Sequence, residues 1–318
     1  MKAAALVLSV LSLNAGGPRR VHQGWQTRRA AVGERLKAEG ADVAAFQDVW
    51  REEDVEFLRA AGGFKSAAAD PGLGLAVLAR GELVASEARP LGWGGGVLRA
   101  RVRVAGKEAD VYSARLTPGA DAASAARRLA QAVGLAETVR ASSPGPYVLL
   151  GDLAGPPEEP EPRLLLDLLG ARDLCVSHGD EACGRTSGDV RVDYALLPYA
   201  ARPPRENARA AFTDLSRDED EPSPARFGLA ARLDDTWLKT APAREPDGRL
   251  EALSTAAEGL MAARVEAERR TLSSGAWPWL GAWRTAAART EAVELSAAEE
   301  RARTAAMRAA KPLPAYED

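Results

Sequence analysis

Between Ala5 and Leu13 the chain is almost unbroken apolar sequence, and it then reaches Asn14 and a pair of glycines. A buried strand that opens into a loop fits this pattern. With one lysine before it, the same stretch has the form of a short secretory signal peptide, but the strand reading accounts for Asn14 and the glycines. The spacing of apolar positions then becomes helical in "GWQTRRAAVGERLKAEG", which stops on Gly40. A strand in "ADVAAFQDVW" and a helix in "REEDVEFLRAAGG" follow. Four strand-like runs come next: "GLGLAVLAR", "GELVASEARPL", "GVLRARVRVAG" and "EADVYSARL". In the third, Val97, Arg99, Arg101 and Arg103 alternate with Leu98, Ala100, Val102 and Val104, as expected of a sheet with one wetter face.

A helix over "ASAARRLAQAVGLAETVRAS" leads to the strand "YVLLGD". The helix "EPRLLLDLLGA" precedes the strands "VRVDYALLP" and "PARFGLAARL". Strands with helices interspersed predict an α/β sandwich, two sheets covered by helices, over residues 1–240. Residues 241–318 read as a C-terminal helical hairpin and tail. Leu250, Leu253, Leu260, Met261 and Val265 form an apolar stripe on its first helix, and the second starts near Ser296, at a capping-box spacing. Trp277, Trp279 and Trp283 mark the hairpin tip. Packing on the main domain is their default role, and membrane-interface or partner contact the alternative.

Composition narrows the function classes. The 318 residues, 46% hydrophobic and 27% charged, suffice for a substantial core. A formal charge of -3 gives no broad cationic field, so nucleic acid is a disfavoured partner. No apolar run reaches the roughly 20 residues of a membrane-spanning helix, and a soluble, cytoplasmic chain is expected, with secretion the minority reading. Cys175 and Cys183 are too few for a disulfide scaffold or a zinc site. Two reduced thiols are the reading taken, with pairing in an oxidising compartment as the alternative. "GWGGGV" around Trp93 lacks the lysine and helix of a phosphate loop and is read as a strand connection.

The strand ends carry the chemistry: Asn14 in "LSLNAGG", Asp48 in "AAFQDVW", Arg115 in "YSARL", Asp152 in "LLGDLAG" and Asp193 in "RVDYALLP". In this order they resemble the endonuclease, exonuclease and phosphatase superfamily, metal-dependent phosphodiesterases that include pancreatic deoxyribonuclease and sphingomyelinases. Segments there typically end in an asparagine, a metal-binding glutamate after L-Q, a histidine in T-H-L, the pair in G-D-x-N and a final S-D-H. The resemblance spans residues 5–233. "FQDVWREEDVEFL", "GLGLAVLARGELV" and "RVDYALLP" are most similar to neutral sphingomyelinases. It implies a deoxyribonuclease-like four-layer sandwich and a divalent cation, magnesium, that neutralises phosphate charge.

Measured against that pattern, the working positions are degenerate. Asp48 stands for the glutamate, Arg115 for the T-H-L histidine, Ala154 for the asparagine of G-D-x-N, and Ala225 and Arg226 for the aspartate and histidine of S-D-H. The chain's two histidines, His22 and His178, lie at no motif position. A guanidinium keeps its proton and cannot be the missing base. It can bind phosphate, or pair with Asp48 and Asp152 where a metal would lie.

The resemblance therefore implies an impaired phosphodiesterase, a pseudoenzyme that binds an unknown protein or a phosphate-bearing ligand and needs no cofactor. The remnant site is Asn14, Asp48, Arg115, Asp152, Ala154, Asp193, Ala225 and Arg226. The alternative is an active phosphodiesterase on a phospholipid or other small phosphodiester, with Asp48 and Asp152 holding magnesium. Arg115 itself reads equally as part of a selected pocket or as compositional drift.

Overall fold

Alternation with a period of two divides each strand between an inward and an outward face, and in this chain both faces are apolar for most of their length. That demands two layers of cover. A computed structural model describes residues 8–17, 23–104, 106–120, 122–143, 145–175, 183–187, 189–198, 208–212 and 228–233. Along them run β1 (Leu8–Asn14), α1 (Gln23–Glu39), β2 (Val43–Gln47), α2 (Glu52–Gly62), β3 (Ser66–Asp70), β4 (Leu75–Ala79), β5 (Glu82–Gly92), β6 (Gly95–Val104) and β7 (Lys107–Arg115). They continue with α3 (Ala122–Ser142), β8 (Tyr147–Asp152), α4 (Pro160–Leu169), β9 (Ala171–Asp173), β10 (Asp193–Pro198), β11 (Ala208–Ala211) and β12 (Gly228–Leu233).

The strands form two six-stranded sheets, ordered β11-β12-β1-β2-β4-β3 and β5-β6-β7-β8-β10-β9. Both are mixed: β1 runs parallel to β2 and β7 parallel to β8, while the other pairs are antiparallel. Between the sheets lies one apolar cluster, with Leu8 and Val10 of β1, Val43 and Ala45 of β2, Leu98 and Ala100 of β6, and Val148 and Leu150 of β8. On the outer face of the first sheet, Leu11, Leu13 and Phe46 meet Trp25, Val32 and Leu36 of α1 and Leu58 of α2. On the outer face of the second, Tyr112, Leu149 and Leu196 meet Leu129 and Val133 of α3 and Leu165 of α4. The fold is the expected four-layer sandwich, and each fully buried leucine contributes about 2 kcal/mol on leaving water.

Three strands carry no clear signal in the sequence. β3 "SAAAD", β9 "ARD" and β11 "ARAA" are short, alanine-bearing segments of weak strand propensity, and all three lie at sheet edges, where a larger strand supplies the pairing template. The expected reduced thiols are also corrected. Cys175 and Cys183 form a disulfide, with Cα atoms 5.5 Å apart, because the end of β9 and the segment entering β10 are brought side by side. His22, His178, Ala225, Arg226 and the C-terminal hairpin lie outside the described residues. No described helix is long and apolar enough to cross a membrane.

The wetter face of β6 carries a polar network. Asp110 of β7 accepts hydrogen bonds from Arg99 at 3.1 Å, from Arg101 at 3.0 Å and from Ser143 at 2.5 Å. Burial pushes the Asp110 carboxyl up, but the bonds from Arg101, Arg99 and Ser143 outweigh it and hold the group below its ordinary range. A depressed folded value stabilises the protein above the unfolded value, and this contribution is lost as pH falls through the folded one. Asp110→Asn is expected to cost about 2 kcal/mol at neutral pH. It should also flatten the acid limb of a stability-versus-pH curve, measured by urea unfolding, below the ordinary aspartate value of 3.8. An unchanged acid limb would remove Asp110 from the account.

Candidate active site

The inward face of each central strand is apolar along its length and turns polar at one shared end. On β1 the inward sequence is Leu8, Val10, Ser12, Asn14; on β2 it is Val43, Ala45, Gln47. On β7 it is Ala109, Val111, Ser113, Arg115, and on β8 Val148, Leu150, Asp152. β10 runs antiparallel to β8 and begins at this same end with Asp193, in register with Asp152. β8 in turn places Asp152 beside Arg115 of β7. Asn14, Asp48, Arg115, Asp152 and Asp193 therefore share one end of the sandwich.

Polar bridges join the two sheets there. The Asn14 amide donates to the Asp152 carboxylate at 2.7 Å, while the Asn14 side-chain oxygen accepts the Gly16 N–H at 2.9 Å. One layer along, the Gln47 amide donates to the Ser113 hydroxyl at 3.1 Å, and that hydroxyl donates to the Phe46 carbonyl at 2.9 Å. Beyond β2, Asp48 leaves the extended conformation, with φ of 57°. This breaks the alternation, so consecutive side chains both reach β7. Gln47 meets Ser113, and Asp48 meets Arg115 at 2.7 Å between Nε and Oδ1.

Arg115 is held on other sides as well. Its Nη1 donates to the Gly94 carbonyl at 3.0 Å, and its guanidinium carbon lies 5.4 Å from the centre of the Trp50 ring. Trp50 occupies that position because Gly74, at φ of 68°, has no Cβ; one placed there would lie 3.0 Å from the indole. The glycine-rich "GWGGGV" connects β5 to β6, and Gln131 of α3 anchors it. Gln131 donates to the Gly92 carbonyl at 2.6 Å and to the Thr117 hydroxyl at 2.8 Å, and its oxygen accepts the Thr117 N–H at 2.8 Å. Ser113 and Gln131 are not singled out by the sequence, and Gln47, Trp50 and Gly94 fall within "FQDVW" and "GWGGGV" with no role assigned to them. Strand parity is the available signal for Ser113, two positions before Arg115.

As arranged, the groups do not fit a divalent cation. Asp48 already faces a fixed positive charge at 2.7 Å, which repels a metal ion at that carboxylate. Both oxygens of Asp152 accept hydrogen bonds, from Asn14 and from the Ala154 N–H at 2.9 Å, but each keeps a second lone pair, so the obstacle to a cation lies at Asp48. Among the described residues no group of three or more histidine, cysteine, aspartate and glutamate side chains is placed to hold a metal. Ala154 has a left-handed backbone, φ 57°, where an asparagine is better tolerated than an alanine.

Comparison with known proteins places the geometry. The model of the Endonuclease/Exonuclease/phosphatase family matches residues 11–290. No curated protein sequence matches the chain. Among solved structures, humanized zebrafish (D. rerio) TDP2 is similar with a TM-score of 0.56 at 16% identity, over 71% of this chain and 98% of that one. An endonuclease/exonuclease/phosphatase from Beutenbergia cavernae DSM 12333 gives 0.55 at 20% identity, over 72% and 71%. The human Nocturnin catalytic domain with bound sulfate gives 0.53 at 16%, over 73% and 96%. At these identities the structures share the fold.

Ala154→Asn should relieve the left-handed strain and stabilise the protein by up to about 1 kcal/mol. In a domain of this size that raises the Tm by roughly 2–4 °C in calorimetry. A lower Tm would show that the turn at residue 154 is not strained.

Proposed function

The chain belongs to the endonuclease/exonuclease/phosphatase family, and from that premise we propose that it is a sphingomyelinase-like member whose site no longer hydrolyses phosphodiesters and instead binds a partner or a phosphate-bearing ligand. One observation carries this reading: Arg115 stands 2.7 Å from Asp48, as a counter-charge built from side chain. Hydrolysis at a site of this kind needs a proton acceptor for water and a cation to offset phosphoryl charge. A guanidinium supplies neither a base nor an open coordination position. It does supply donors suited to a phosphate or carboxylate.

Asp48, Asp152 and Asp193 share this end of the sandwich with Arg115 on Asp48, Arg28 on the Ala15 carbonyl and Arg191 on the Asp193 carbonyl. A phosphate-bearing ligand needs further positive charge, and Arg226 is the residue expected from sequence to bring it.

The second reading is an active phosphodiesterase on a phospholipid or another small phosphodiester, in which Asp48 and Asp152 would hold magnesium. It is favoured by the Asn14–Asp152 hydrogen bond, which keeps two of the family's expected polar groups in contact.

One assay separates the readings. With millimolar magnesium, release of nitrophenol from bis(p-nitrophenyl) phosphate, of phosphocholine from sphingomyelin, and of nucleotides from single-stranded DNA should all stay at the level of Asp152→Ala. Turnover that requires magnesium and vanishes in Asp152→Ala would establish the second reading. Stability reports on the same point, since a ligand stabilises the folded state by RT ln(1 + [L]/Kd). Magnesium should leave the native Tm within about 1 °C and raise that of Arg115→His measurably more. A large magnesium shift in the native protein would contradict the reading.

A further inference from the structure

Asp193 begins β10 with a fully buried side chain, and among its described residues the segment that delivers it puts only the apolar side chains of Cys183 and Val192 into the interior. From Cys183 the sequence is "CGRTSGDVRVD", in which Val190 is 45% exposed. Gly184, at φ of 56°, takes the left-handed turn that starts it. Bonds take over the role of packing. The Thr186 hydroxyl accepts the N–H groups of Val192 at 2.9 Å and Asp193 at 3.0 Å. Arg191 donates to the Asp173 carboxylate at 2.6 Å and to the Asp193 carbonyl at 3.3 Å. Asp173 also accepts the N–H of Cys175 at 3.0 Å, and the Val192 carbonyl accepts the N–H of Leu153, next to Asp152, at 2.9 Å. The network begins where the Cys175–Cys183 bond joins the end of β9 to the start of this segment.

We infer that the Cys175–Cys183 disulfide is the staple that fixes the 183–193 segment, and through it positions Asp193 beside Asp152. Both cysteines are fully buried, so the bond is made during folding and then shielded from small thiols. A disulfide-bearing oxidant is the required co-reactant. The first cysteine thiolate attacks a sulfur of that oxidant and expels one thiolate. The second then attacks the resulting mixed disulfide and expels the other. The two electrons and two protons leave on the oxidant, now a dithiol. Such bonds persist in oxidising compartments, which places maturation of this chain there. The inference is independent of whether the site hydrolyses anything, since it concerns only how Asp193 is held.

Trypsin cuts after Arg172 and Arg185, so both cysteines fall in one peptide, 173–185. From protein folded in an oxidising compartment and denatured without reductant, that peptide should be lighter by two hydrogen atoms and take no alkylating agent. After reduction it should take two equivalents. The full chain, reduced in urea and diluted back, should exchange the amides of Val192 and Asp193 at least about tenfold faster than the oxidised chain, with those of Leu11 and Ala45 unchanged. Cys175→Ala/Cys183→Ala should reproduce this local change. Two alkylated cysteines in the unreduced protein would overturn the inference. So would unchanged exchange at Val192 and Asp193, or a rise spread equally over every strand.

Discussion

Two sheets packed face to face must end somewhere, and the groups that close the open end decide what the end can do. Here the closure is a set of polar contacts across the sandwich: Asn14 to Asp152, Gln47 to Ser113, and Arg115 to Asp48. The ion pair sits outermost and brings the fixed positive charge to this end. Asp48 is largely withdrawn from water and needs a positive neighbour, which a bound cation or a side chain can supply. Arg115 supplies that charge covalently, while the Gly94 carbonyl and the Trp50 ring hold its guanidinium in place.

A fixed charge differs from a bound one in its consequences. A metal ion can leave coordination positions open to water and substrate, and it can polarise both. An arginine paired with a carboxylate keeps the electrostatic benefit for the fold and gives up those positions. The surrounding structure follows the arginine. Gly74 leaves room for Trp50, and Gln131 ties the Gly92–Gly95 turn to Thr117, so the loops that flank Arg115 are braced from α3.

Much of this is legible in the amino-acid sequence. The long strands declare themselves through alternation: "GVLRARVRVAG" places Leu98, Ala100 and Val102 inward and the arginines outward. The strand ends also mark where Asn14, Asp48, Arg115 and Asp152 fall. β3, β9 and β11 stay hidden because alanine-rich edges take their conformation from a neighbour rather than from their own residues. Gln131 is hidden for a different reason. Its partners, Gly92 and Thr117, are backbone and loop groups far away in sequence, and no local pattern ties a helix glutamine to them. The disulfide is misjudged on count alone, since two cysteines eight positions apart do not reveal that a strand end and a returning segment lie side by side.

In the proposed function Arg115 takes the electrostatic place of a divalent cation. Anomalous X-ray diffraction from crystals of the native protein soaked in millimolar manganese tests it most directly. No manganese peak is expected between Asp48 and Asp152, and the Arg115 guanidinium should remain on Asp48. A manganese ion bridging the two carboxylates, with Arg115 displaced from Asp48, would contradict it.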